Sequence, residues 1–204
     1  MNPPISQFKN AAQRALHTGY KLIEVHAAHG YLVHEFLSPL SNLRTDEYGG
    51  SFENRIRFLL EIIDAVNEVW PSNLPLFVRI SATDWTEGGW DIDQSVKLSA
   101  ILKAKGVDLI DTSSGGNIPH AKIPVQPGYQ VPFASRIKKE TGIMSGAVGL
   151  ITTATQAENI LLNEDADIIF FGRKSLADPY LPLHLAKEMG IDMEWPVQYE
   201  RRSK

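Results

Sequence analysis

The sequence predicts an α/β protein built as a (β/α) barrel. Helical stretches with one apolar face alternate with short apolar runs along the chain. Several of these runs are apolar at nearly every residue, which is typical of parallel strands buried on both faces. Polar residues and glycines follow the strands, where barrels and doubly wound sheets both bind ligands. No strand is followed by G-x-G-x-x-G, and a site spread over five strand ends favours the barrel.

The elements are predicted in order, beginning with a helix whose apolar face includes Phe8 and Leu16 and which stops at Gly19. Strands are predicted at residues 22–26, 76–80, 108–112, 143–148 and 166–171. One helix is predicted to begin at the N-cap Ser51, and two others are predicted at residues 96–104 and 133–140. A further helix follows a Thr153/Gln156 capping box, and the last spans residues 181–189. This pattern gives about five strand–helix units in one domain over residues 1–204, whereas a closed barrel needs eight and typically ~250 residues.

Composition narrows the functional classes. The chain has 204 residues, of which 43% are hydrophobic and 22% charged, as in ordinary globular proteins. A net charge of −4 argues against nucleic acid or an anionic membrane as partner. The absence of cysteine excludes thiolate nucleophiles and thiolate metal sites. No signal-peptide core and no run of ~20 apolar residues is present, so a cytoplasmic location is expected.

Two histidines and a tyrosine follow the first predicted strand. His26 and His29 are three residues apart at the point where the chain turns into a glycine-containing loop. Their imidazoles could donate two hydrogen bonds to an oxygen that becomes negative during a reaction, and Tyr31 could supply a proton. The alternative is that one histidine caps the loop and Tyr31 packs. A metal site is less favoured, because the spacing is not that of helical zinc ligands and no carboxylate or thiolate adjoins the pair.

Arg79 lies inside the second apolar strand. A buried arginine is unfavourable unless it meets an anion or several acceptors. Two interpretations remain open. Arg79 either faces an electron-rich ring or a phosphate, or it forms a core ion pair with Asp108 or Asp111.

Glycine-rich turns follow the last three predicted strands. They are residues 113–116, 146–149 and 171–173. In barrels the loops after the last two strands often bind phosphate through backbone N–H groups, with glycine allowing close approach. The candidate cofactor-binding residues in these turns are Ser114, Gly115, Gly149, Gly172 and Arg173.

These motifs together resemble the Old Yellow Enzyme family of NADH:flavin oxidoreductases, in its thermophilic-like NADPH dehydrogenase branch. The resemblance is most specific from His26 to Arg55, and it covers nearly the whole chain. The matching stretches are Ile23 to Leu32, Glu35 to Pro39, Asn42, Arg44 to Arg55, Phe77 to Ser81, Gly106 to Asp108, Ser113 to Gly116, Pro127 to Gln130, Gly146 to Gly149, Phe171 to Arg173 and Asp178 to Tyr180.

The resemblance implies an eight-stranded (β/α) barrel with FMN at its C-terminal mouth. NADPH or NADH reduces FMN, and reduced FMN passes hydride to an activated alkene such as an enone, enal or nitroalkene. His26 and His29 resemble the pair that holds the substrate oxygen, and Tyr31 the residue that protonates the α-carbon. Arg79 resembles the arginine at the polar edge of the flavin. The phosphate cradle is matched by Gly149, Gly172 and Arg173.

Two further expectations follow from the resemblance. The tail from Gln198 to Arg201 matches one in which the arginine reaches a neighbouring subunit, so a homo-oligomer is expected. The family also has a longer N-terminal part that holds three strands, so the chain is expected to carry strands four to eight of an N-terminally truncated barrel. The alternative function is a catalytically incompetent remnant that needs a partner to complete it.

Overall fold

A computed structural model describes residues 3–202 of the chain. Within them, five parallel strands form one sheet in chain order. The strands are β1 Ile23–Ala27, β2 Leu76–Ser81, β3 Leu109–Ser113, β4 Met144–Ala147 and β5 Ile168–Ile169. All four pairings between neighbouring strands are parallel. The predicted α/β class with five parallel strands is therefore confirmed.

Helices separate the strands. They are α1 Pro3–His17, α2 Leu32–Leu37, α3 Phe52–Asn67, α4 Ile92–Ala104, α5 Val131–Thr141, α6 Ala154–Leu162, α7 Arg173–Ala177 and α8 Leu181–Glu188, followed by a 3₁₀ helix at Val197–Arg202. The predicted N-cap at Ser51 is confirmed, because its hydroxyl accepts the backbone N–H of Asn54. Across residues 3–202, no helix combines the length and apolar character needed to cross a membrane.

The structure differs from the predicted elements in three places. The fifth strand pairs only at Ile168–Ile169 because it has β4 as its single neighbour, and β4 itself ends at Ala147. Thr153 is the N-cap as predicted, and its hydroxyl accepts the backbone N–H of Gln156 at 3.2 Å, but the Gln156 side chain accepts from the backbone N–H of Thr152 and not of Thr153. Helices α2 and α7 are new, and each is too short to show a helical repeat in the sequence.

The two faces of the sheet have opposite chemistry. The outward face carries apolar side chains such as Val25, Val78 and Ile110, which are buried in the main hydrophobic core. The other face carries His26, Arg79 and Asp111, which are aligned across β1, β2 and β3 by the strand register. The outward face therefore stabilises the fold, and the opposite face presents polar groups near the carboxyl ends of the strands.

Candidate functional site

The three residues predicted to be catalytic lie together at the end of β1. The rings of His26 and His29 have their centroids 5.3 Å apart, and the ring of Tyr31 lies 5.3 Å from that of His26. Tyr31 is 64% exposed, so its hydroxyl is not sequestered by the core. The chain reverses between His29 and Gly30, where both residues have positive φ.

Contacts to β2 and β3 hold His29 in place. Its backbone N–H donates to Ser81 Oγ at 3.0 Å, and its Nε2 lies 2.7 Å from Ser113 Oγ. Burial first, and then the positive charge of Arg79, lowers the pKa of His29 to about 4. The same two causes lower the pKa of His26. Both imidazoles are consequently neutral at pH 7, and each offers one N–H donor and one acceptor nitrogen.

The structure confirms one of the two interpretations of Arg79 that the sequence left open. Its Nε lies 3.3 Å from Asp111 Oδ2, so the core ion pair is formed with Asp111. The other candidate, Asp108, accepts instead the backbone N–H of Leu76 at 2.8 Å. Arg79 also lines a cleft, and its two terminal nitrogens have no hydrogen-bond partner among residues 3–202. A guanidinium with unsatisfied donors at a cleft wall is suited to an anion or an electron-rich ring.

Asp111 is the most unusual ionisable group near the site. It is 1% exposed, and neither carboxylate oxygen has a hydrogen-bond partner within the described chain. Burial raises the pKa of Asp111 to about 7, against the opposing charge of Arg79 and with a contribution from Glu24. Asp111 therefore carries less than a full negative charge at neutral pH, which leaves the Arg79–Asp111 pair with a net positive charge beside the cleft.

A cleft of about 520 Å³ opens beyond the carboxyl ends of the strands. It brings together five of the predicted site residues, which are His29, Arg79, Gly149, Gly172 and Arg173. The two glycine turns belong to different strand–helix units and still border the same cavity. Lys174 adds a second cationic side chain beside Arg173.

Gly149 is required by its surroundings. Its φ is +131°, a backbone conformation that side chains disfavour. A Cβ at this position would lie 3.2 Å from Gln130 Nε2 and 3.2 Å from a ring carbon of Tyr129. The backbone conformation and the neighbouring side chains therefore both favour glycine at this position.

Two predicted cofactor residues do not line the cleft. The Ser114 hydroxyl donates to Gln130 Oε1 at 2.5 Å, and the backbone N–H of Gly115 donates to the carbonyl of Thr83 at 2.8 Å. Both residues shape the loop after β3 instead. Arg201 of the predicted subunit-bridging tail is exposed.

Sequence reasoning did not assign a role to Gln130 or Lys174. The buried Gln130 amide donates to the carbonyl of Val148 at 3.0 Å while its oxygen accepts from Ser114, so it joins the loops after β3 and β4. Lys174 could have been identified as a candidate site residue, because it directly follows Arg173 in the sequence. Gln130 lies in a stretch that resembles the family, but no local pattern assigns it this role. In the part of the chain described, no group of three or more His, Asp or Glu side chains is arranged to hold a metal ion.

Comparisons with known proteins place this geometry in a family. The profile of the NADH:flavin oxidoreductase / NADH oxidase family matches residues 2–191. NADPH dehydrogenase of Geobacillus thermodenitrificans (strain NG80-2) is 56% identical over 197 residues, which are 97% of this chain and 57% of that relative. The chain therefore spans little more than half the length of this curated relative.

Two solved structures share the fold. A 2-naphthoyl-CoA reductase in complex with 2-naphthoyl-CoA has a TM-score of 0.84 and 31% identity, over 93% of this chain and 29% of that one. Morphinone reductase in complex with tetrahydroNAD has a TM-score of 0.73 and 30% identity, over 95% and 50% respectively. The predicted resemblance and the predicted barrel class are confirmed.

Proposed function

Because the chain belongs to the NADH:flavin oxidoreductase / NADH oxidase family, we propose that it carries the FMN and substrate site of an NADPH dehydrogenase of the Old Yellow Enzyme type. The reaction moves hydride from NADPH or NADH through FMN to the activated C=C bond of an enone, enal or nitroalkene. The name of the Geobacillus thermodenitrificans relative supports the nicotinamide substrate. So does the tetrahydroNAD bound by morphinone reductase.

One observation carries the proposal. A neutral imidazole, a guanidinium with free donors and two glycine turns border a single cleft, at His29, Arg79, Gly149 and Gly172. Hydrogen-bond donors, fixed positive charge and backbone that allows close approach are what a phosphorylated, redox-active ring compound requires.

The residues present fit FMN. Arg79 offers its free N–H groups and its charge to the polar edge of a flavin ring. Gly149 and Gly172, with the cationic side chain of Arg173, offer a cradle for the phosphate. When bound, FMN supplies the capacity to accept a hydride from a nicotinamide and to release it to an alkene.

The substrate side of the chemistry is assigned to the end of β1. His26 and His29 each donate a hydrogen bond to the carbonyl or nitro oxygen of the alkene, which withdraws electron density from the double bond. A substrate oxygen has to compete with Ser113 for His29 Nε2, which lies 2.7 Å from that hydroxyl. Tyr31 delivers a proton from its hydroxyl to the α-carbon, and water returns the proton because the side chain is exposed.

FMN titration of the purified chain, followed by flavin fluorescence, tests the cofactor assignment. We expect Arg79→Ala to weaken binding by at least tenfold, because it removes the positive charge proposed to face the ring. Arg14→Ala is the matched control, since Arg14 is an exposed arginine on α1. Failure of the wild-type chain to bind FMN would favour the alternative, a remnant that needs a partner to complete it.

Turnover of an enone tests the substrate assignment. His26→Ala and His29→Ala should each lower turnover by roughly 10²–10³, as expected for a lost oxyanion donor. Unchanged alkene reduction in the double variant would exclude this role. Tyr31→Phe should retain hydride transfer and slow the protonation step.

We also propose that copies of the chain associate, with Arg201 contributing to a neighbouring subunit's site. The side chain of Arg201 is exposed on the 3₁₀ helix and is free to reach another molecule. Sedimentation analysis gives the oligomeric state. Loss of activity without loss of assembly in Arg201→Ala would support the role, and unchanged activity would refute it.

A further inference from the structure

A buried His–Asp pair lies under the turn that carries His29. The side chains of His34 and Asp84 are both 0% exposed, and His34 Nε2 lies 3.0 Å from Asp84 Oδ1. The second carboxylate oxygen of Asp84 accepts from Ser38 Oγ at 2.5 Å and from the backbone N–H of Trp90 at 2.8 Å. Neither member of the pair lines the cleft, so the proposed chemistry leaves both unused.

Hydrogen bonding determines which nitrogen of His34 carries the proton. The backbone N–H of Gly30 donates to His34 Nδ1 at 2.9 Å, so Nδ1 is an acceptor without a proton. The single ring proton is therefore on Nε2, the nitrogen that faces the Asp84 carboxylate. A carboxylate opposite one ring nitrogen is a common means of selecting the tautomer of a histidine. Asp84 thus keeps Nδ1 available to Gly30.

The turn that His34 holds is strained. His29 has φ +58° although it is not glycine, and Gly30 follows with φ +74°. A Cβ on Gly30 would collide with the carbonyl oxygen of Gly116, so the turn is also packed against the loop after β3. A left-handed conformation at a non-glycine residue costs roughly 1–2 kcal/mol and persists where surrounding contacts impose it. Both backbone N–H groups of the turn are held by side chains, that of His29 by Ser81 and that of Gly30 by His34.

We propose that His34 is a positioning residue for His29. Its Nδ1 holds the strained turn in the conformation that brings the His29 imidazole to the cleft, and Asp84 maintains Nδ1 as an acceptor. The catalytic meaning of this arrangement rests on the proposed function of His29. The positioning of His29 by His34 depends only on contacts within the chain.

Two substitutions separate positioning from simple core packing. In His34→Asn the amide oxygen can occupy the place of Nδ1 and accept from Gly30. In His34→Gln the longer amide reaches the place of Nε2 and contacts Asp84, but no acceptor remains for Gly30. Both replace a buried imidazole by an uncharged amide, so the loss of packing is closely matched.

Amide hydrogen exchange and histidine NMR in the flavin-free 204-residue chain are the primary measurements. We expect Gly30 to exchange at least tenfold faster in His34→Gln than in His34→Asn, while the amide of Val78 in β2 reports global stability. Burial lowers the pKa of His29 to about 4, and His34 contributes a small part of that shift. Both variants remove this part, so we expect the pKa of His29 to rise further in His34→Gln, where the turn is released, than in His34→Asn. Equal Gly30 exchange in the two variants, or a loss of Val78 protection that parallels that of Gly30, would overturn the proposal.

The tautomer of His34 can also be measured in the wild type, which does not depend on the folding of either variant. The ¹⁵N chemical shifts of the His34 ring should report the tautomer protonated at Nε2. A proton on Nδ1 would refute the proposed hydrogen bond directly.

Enone reduction then separates this inference from the proposed function. With cyclohex-2-enone as substrate, we expect kcat/KM to fall at least tenfold in His34→Gln and to be largely retained in His34→Asn. An active wild type with an unimpaired His34→Gln variant would overturn the positioning role. If the wild type binds FMN and reduces no enone, the proposed function fails, and the exchange and tautomer measurements still decide the claim about His34.

Discussion

Replacing Asp111 by asparagine should change how the stability of the protein depends on pH. Asp111 is buried beside Arg79, and its pKa is raised from 3.8 to about 7. Between these two values the folded protein holds a proton on Asp111 that the unfolded chain has released. The free energy of unfolding therefore contains a contribution that is fully present below about pH 4 and is lost as the pH rises through 7.

The size of the effect follows from the shift. Each pKa unit corresponds to about 1.4 kcal/mol, so the whole contribution is about 4 kcal/mol. Between pH 5 and pH 8 the part that is lost is about 3 kcal/mol. The lowered pKa values of His26 and His29 act in the opposite direction in the acidic range, because the unfolded chain then binds more protons. Their contribution is shared by the wild type and the variant, and it cancels in the comparison.

Urea unfolding of the wild type and of Asp111→Asn at pH 5 and at pH 8 measures the effect. We expect the variant to gain about 3 kcal/mol relative to the wild type over this interval. Asp167→Asn is a suitable control, because Asp167 is a more exposed carboxylate in an ion pair with Lys138. A difference between wild type and Asp111→Asn that is independent of pH would show that Asp111 is ionised throughout and that its burial is compensated by other groups.

Two glycine positions give further expectations. Gly30→Ala should destabilise the protein by about 2–4 kcal/mol, because φ at this position is positive and unfavourable, and the new Cβ also collides with Gly116. Gly19→Ala should destabilise it by only about 1 kcal/mol, because φ is positive there too but nothing lies within 4 Å of the new Cβ. Equal losses in thermal unfolding would contradict this reasoning. Gly146→Ala should lose about 1–3 kcal/mol and distort the cleft, because its Cβ would collide with the ring of Phe170. Adding Phe170→Leu should restore part of the stability, and no recovery in the double variant would place the strain elsewhere.

Much of the fold could be predicted because its signals are local. Helix α3 has a cap at Ser51 and an apolar face that is buried as expected. Strands β1 to β4 lie within one residue of their predicted bounds, and β2 in particular is apolar at most of its residues. The predicted length of the fifth strand was wrong. A strand extends only as far as it pairs with a neighbour, and its neighbour β4 is short. Nothing in the sequence between residues 166 and 171 carries that information.

The site was predictable to the extent that parallel strands bring their carboxyl ends to one edge. His29, Arg79 and Gly149 were identified for this reason, and they line the same cleft. Gln130 and His34 were not identified. The role of Gln130 depends on Ser114, which is distant in the sequence, and the role of His34 depends on a contact made by a side chain buried in a helix. In the sequence nothing distinguishes His34 from its neighbours, because helix α2 is too short to show a helical repeat. Only the folded turn shows that its Nδ1 receives a backbone N–H.

The order of the strands in the sheet also bears on how the protein is made. Each strand after β1 pairs with the strand synthesised just before it, so no strand has to insert between two that are already joined. Each step closes a loop of moderate length, which keeps the entropic penalty small and similar from one step to the next. Ribosomal synthesis proceeds from the N-terminus, and the sheet can grow along one edge as the chain emerges. Gly172 and Arg173 follow the last strand, so the cleft is completed only when the final part of the chain has joined the fold.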